Sequence, residues 1–172
     1  MPLVEDLHRW SGFFTLLGEC TASFAGLLFV AIALNSQRFQ DPENRHLMLL
    51  ARQTFFNLLM LTSLSLFAML PVATIESYSQ GALAASVAGL ITCLAAMREE
   101  RRARSGQRAS VETLRAYYGP ALIYMFFGWA GVRVMLGRPD HIAFFGMGAI
   151  MLLLVSARNA WLLLVLKGHY WK

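Results

Sequence analysis

Five stretches of this chain stay apolar for 20 residues or more, which narrows the folds open to it more than any motif does. They run roughly over 13–34, 48–70, 78–97, 117–136 and 142–166. At about 1.5 Å of rise per residue, a helix of about 20 residues crosses about 30 Å of hydrocarbon. Backbone in that medium must satisfy its own N–H and C=O groups, and a helix does so within one segment. The expectation is all-α: an integral membrane bundle of about five helices, one domain over 1–172. Too little chain lies between the runs for a soluble module. With 57% hydrophobic and 15% charged residues, the composition departs from the roughly 45–50% and 25% of soluble domains.

The breaks between runs carry the charge. Asn35 to Arg38 end the first run and Asp41-Pro42 turns the chain; Pro71 closes the second. An aqueous loop is expected from Arg98 to about Arg115, with six arginines against three glutamates. Pro120 is read as tolerated in the first turn of the fourth span. Gly137-Arg138-Pro139-Asp140 makes a tight link to the fifth. Orientation follows from counting. Eleven Lys and Arg (Arg38, Arg45, Arg52, Arg98, Arg101, Arg102, Arg104, Arg108, Arg115, Lys167, Lys172) fall on one side, against Arg9, Arg133 and Arg138 on the other. That bias predicts an outside N-terminus and an inside C-terminus. It also accounts for the net charge of +5 without nucleic acid. Glu5 and Asp6 precede the first run, which therefore reads as a retained span.

Glu19 is the sharpest single residue, an acid within the first span at a cost of roughly 2–3 kcal/mol. An intramembrane carboxylate is a functional candidate by default. It reads as pairing with Arg133 in the outer half of the fourth span, as a proton or cation site, or as a side chain reaching the interface. Arg52 sits where its guanidinium can snorkel to headgroups. Ser156, Arg158 and Asn159 form a polar notch in the inner half of the last span, and Asn57 and Asn35 complete the polar candidates. Small residues recur at every fourth position: Gly18, Ala22 and Gly26 in the first span, Gly81, Ala85 and Gly89 in the third. Such spacing lets helix backbones approach closely, within one bundle or between copies. The Arg98–Arg115 stretch reads as an orientation signal and as a seat for anionic lipid or protein.

Catalytic and metal-binding signatures are missing from the sequence, and no cofactor is expected. His8, His46, His141 and His169 sit near span ends, and Cys20 and Cys93 read as packed thiols.

GLLFVAIALN at 26–35, with Trp10 and Phe13-Phe14 before it, resembles an uncharacterised family of bacterial multi-pass membrane proteins. Arg52, Leu70-Pro71 and Asn159-Ala160-Trp161-Leu162-Leu163 extend the likeness over most of the chain. Glu19 is not part of that pattern. The resemblance implies residence in the bacterial cytoplasmic (inner) membrane and no particular activity. Two expectations follow. One is a non-catalytic membrane protein that forms a homo-oligomer or assists a partner in the bilayer. The other is a small ion channel or carrier whose intramembrane polar residues line a path.

Overall fold

The computed structural model describes residues 9–34, 36, 45–70, 74–103, 111–138 and 142–165. Among them the chain forms five α-helices and no strand: α1 Ser11–Leu34, α2 Arg45–Ala68, α3 Ile75–Ala103, α4 Val111–Met135 and α5 Ile142–Val165. Contacts rise on one helix as they fall on the next. Gly18 and Thr21 lie against Ser65 and Thr62. Gly81 and Cys93 lie against Phe67 and Gln53. Gly131 and Tyr118 meet Leu83 and Arg101, and Gly148 and Gly119 meet Phe127 and Val155. Consecutive helices are therefore antiparallel. The α3–α4 seam is the most extensive, followed by α1–α2; α2 also meets α3 and α5, α4 meets α5, and α1 touches α5 briefly. The order puts the ends of α1, α3 and α5 beside the starts of α2 and α4. Arg52, Arg98, Arg101 and Arg102 lie toward that end, the basic end.

Helix boundaries follow local chemistry. Leu70 precedes Pro71, which disfavours helical geometry there. The chain closes with tightened bonds from Met69 N–H to Leu66 O (3.1 Å) and Leu70 N–H to Phe67 O (3.2 Å). At Thr74 a reciprocal cap opens α3. Ser77 N–H donates to Thr74 Oγ1 (3.1 Å), and Thr74 N–H donates to Ser77 Oγ (2.9 Å). At the end of α4, Gly137 takes φ +82°. Arg138 N–H reaches back to Arg133 O (3.2 Å) and Gly137 N–H to Val134 O (3.0 Å), a Schellman closure that only glycine makes without strain.

Two expected boundaries move. The loop expected from Arg98 is helix as far as Ala103. Arg and Glu are good helix formers, and Arg101 and Arg102 in the last turn suit the negative end of the helix dipole. The fourth helix begins at Val111, so Pro120 lies in its interior and not in its first turn. It brings no N–H for the Ala116 carbonyl there.

The core mixes apolar side chains with buried polar ones, and the surface is apolar, unlike that of a soluble protein. Thr21, Gln53, Thr54, Asn57, Ser65, Ser79, Ser86, Ser156 and Asn159 are buried, while Leu16, Leu27, Val87, Ile91, Leu122, Met147 and Leu154 are exposed. Water would oppose such a surface; lipid tails would wet it. Four helices, α1, α2, α3 and α5, are long and apolar enough to cross a membrane. α4 falls short of that hydropathy. Its Tyr117, Tyr118, Tyr124, Trp129, Pro120 and glycines supply packing surface without aliphatic bulk.

Candidate functional site

Gln53 and Asn57 stand one turn apart on α2 and share a face. The Gln53 amide donates from Nε2 to Asn57 Oδ1 (3.0 Å) and to Cys93 Sγ on α3 (3.3 Å). Tyr124 of α4 donates from its hydroxyl to the same Asn57 Oδ1 (3.0 Å). One buried oxygen thus collects donors from two helices. Its ring reaches that oxygen by passing over Gly89, where any Cβ would overlap it. Ser86 Oγ donates to the Tyr124 carbonyl (2.6 Å). Gly128 makes room for this, since a Cβ there would stand 2.8 Å from Ser86 Oγ. The Tyr124 backbone and ring are both fixed by hydrogen bonds.

Other buried polar atoms are orphans. Asn57 Nδ2, Ser156 Oγ and both amide atoms of Asn159 are buried with no hydrogen-bond partner among the described residues. Each such atom costs about 1–3 kcal/mol unless something polar meets it. Ser156 and Asn159, three apart, share one face of α5. Arg158 lies between them in sequence and is exposed, so the expected three-residue notch is a two-residue one. The Gln53–Asn57–Cys93–Tyr124 cluster holds two amides, a hydroxyl and a thiol. Its chemistry is hydrogen bonding to a neutral polar group. No group of three His, Cys, Asp or Glu lies together among the described residues.

Elsewhere the expected residues fall differently. Glu19 is exposed. The buried stripe of α1 is Phe14, Leu17, Thr21, Ala25 and Leu28, and Glu19 projects on the opposite face. Arg133 is half-buried with its Nε unpartnered. Among the described residues no ion pair joins the two, because α1 packs on α2 and α5 while α4 packs on α3 and α5. Arg52 is held by Glu99 across the α2–α3 seam (3.1 Å) and does not simply reach for headgroups. Asn35 lies outside the described residues.

The small residues divide as well. Gly18 sits where a Cβ would come 3.2 Å from Ser65 Cβ, and Gly81 where it would meet the Phe67 ring at 3.0 Å. Gly89 underlies Tyr124, and Ala85 is buried. Ala22 and Gly26 are exposed, and a Cβ on Gly26 would meet nothing within 4 Å. The expectation that Gly26 packs within this bundle is therefore overturned.

Sequence reasoning passed over Gln53, Tyr124 and the Thr21–Thr62 hydroxyl pair (2.8 Å). The pairing of two amides at i and i+4 inside an apolar run was the one available signal. Tyr124 gave none, since only the α3–α4 packing aims it at Asn57. The chain matches no protein-family profile, no curated protein and no solved structure.

Proposed function

We propose that this chain is a non-catalytic, multi-pass membrane protein that self-associates, or assists a membrane partner, through the outward face of α1. Its setting is the bacterial cytoplasmic membrane, as the sequence resemblance implies. One observation carries the reading: Glu19 lies exposed on an otherwise uncharged helix beside Ala22 and Gly26, with open space over Gly26. An acid facing lipid is costly, and a second helix seated on the two small residues would cover it. Light scattering in mild detergent or nanodiscs tests this. Wild type is expected to run as more than one copy, or with a co-purifying partner. Gly26→Leu should dissociate it without lowering its melting temperature. A single-copy wild type with no partner would overturn the reading.

Within this proposal all five helices cross, with the N-terminus outside. The antiparallel order supports five crossings, as does an apolar stripe on α4 in which Leu122, Met125, Trp129 and Val132 are all exposed. Reporter fusions at residue 106 and at the C-terminus should both read cytoplasm. If α4 does not cross, the two signals will be opposite.

A carrier is the second reading, favoured by the amide nitrogen of Asn57 and the amide of Asn159, unpartnered among the described residues. Against it stands the far half of the core. There Phe14, Tyr78, Phe145 and Phe127 close ring on ring. Proteoliposome flux that Asn159→Leu abolishes would favour the carrier.

A further inference from the structure

The arginine-rich end of α3 looks like mixed charge in sequence, but the fold sorts it. Glu99 turns to Arg52 across the α2–α3 seam (3.1 Å). Glu100 is buried, 4% exposed. Arg98, Arg101 and Arg102 are left exposed. One acid is thus engaged across the seam and the other buried, and three arginines are left exposed.

The outward arginines continue an apolar stripe. Val87, Ile91 and Leu94 are exposed on α3, and Arg98 and Arg101 follow at the same alternating spacing of four and three. From Leu94 to Arg98 the helix rises about 6 Å, so one face passes from hydrocarbon to headgroup chemistry within about one turn. Across the α3–α4 seam the partner helix repeats the change. Leu122 and Met125 are exposed below Tyr118. Arg101 Nη2 donates to the Tyr118 hydroxyl (3.2 Å), which ties the two faces together where tyrosine favours a membrane interface. Because α3 runs on to Ala103, these arginines sit on rigid helix.

We infer that the basic end of the α3–α4 seam is a seat for an anionic phospholipid. Its phosphate is gripped by Arg98 and Arg101, with Arg102 adding charge, and its acyl chains lie along Leu94, Ile91 and Leu122. Guanidinium forks suit phosphate oxygens in a way a point charge does not. A lipid with net negative charge is selected because the nearby acids are already engaged, and a choline cation beside the phosphate would face three arginines. The inference rests on membrane insertion and is independent of self-association.

Native mass spectrometry of the full chain, released from detergent with phosphatidylglycerol or phosphatidylcholine added, tests it. Phosphatidylglycerol should be retained preferentially. Arg98→Gln/Arg101→Gln should weaken its retention by roughly five-fold per arginine. Arg9→Gln/Arg138→Gln, two exposed arginines of the opposite end, should leave retention unchanged. Soluble glycerophosphate should not bind. Should the double variant fail to fold, Arg98→Lys/Arg101→Lys keeps the charge and loses the fork, and should retain the lipid less well than wild type. Equal retention of the two lipids overturns the seat, as does loss matched by the opposite-end control. Glycerophosphate binding as tight as the lipid's would make this a soluble-phosphate site and overturn the lipid assignment.

Discussion

The two halves of this bundle are specified by different physics. Toward the basic end, Gln53, Asn57, Cys93 and Tyr124 hold three helices through directed hydrogen bonds, with the orphaned Asn159 and Ser156 also buried on α5. Toward the other end the core is mainly aromatic, with the Thr21–Thr62 hydroxyl pair as a hydrogen bond between its helices. Trp10 meets Phe13 edge to face, Phe13 meets Phe14, Phe14 and Phe145 both meet Tyr78, and Phe127 stacks on Phe145. Lipid tails are as apolar as a leucine core, so burial alone gives helices little reason to associate in a bilayer. Ring packing supplies contact area at one end; hydrogen bonds fix register at the other.

Unfolding in mixed micelles, read against denaturant, can break or sharpen that contrast. Phe145→Ala should have the largest effect, about 3–5 kcal/mol, because it leaves a cavity between two rings. A loss below about 1 kcal/mol would mean the aromatic end is loosely packed and the contrast false. Gly89→Leu comes next, at about 3 kcal/mol, the upper part of the range for overpacking. The Tyr124 ring has to move, so the variant should also free the Asn57 oxygen. An unchanged melt would show that the ring was never fixed there. Tyr124→Phe removes one hydrogen bond and should cost about 0.6 kcal/mol, the usual size of such bonds inside membrane proteins. A much larger loss would show the polar cluster acting as a cooperative unit. Asn159→Leu should cost least, with no loss of stability, since it removes two buried atoms that have no partner among the described residues. Marked destabilisation would mean that Asn159 holds a bound polar group.

The helices themselves are legible, because each apolar run is long enough for one, and four of them are long and apolar enough to cross a membrane. Facing is not. When most residues of α1 are apolar, no periodic contrast says which side is inward, so the sequence leaves the facing of Glu19 open, and in the fold it faces out. Gly26 fails for the same reason: its spacing is right for packing, but Gly18 alone of that trio approaches a neighbour closely. The boundary at Arg98 was misread because charge marks the end of hydrocarbon and says nothing about the end of a helix. The polar cluster was half legible. Asn57 and Asn159 stand out in apolar runs, whereas Tyr124 and Cys93 join it only through packing between distant stretches of chain.

The pattern of packing also bears on how the chain assembles. Nearly every extensive seam joins helices adjacent in sequence, and α2–α5 is the one substantial exception. Hairpins of neighbouring helices close short loops and form quickly, whereas joining α2 to α5 closes a loop through two intervening helices. That step turns a row of hairpins into a ring. It is expected to be the last contact made and the first to open, so amide exchange at Ser156 and Asn159 should outpace that at Ser86 and Tyr124. If it does, the helix on which Ser156 and Asn159 lack partners among the described residues is also the one the resting protein most often uncovers.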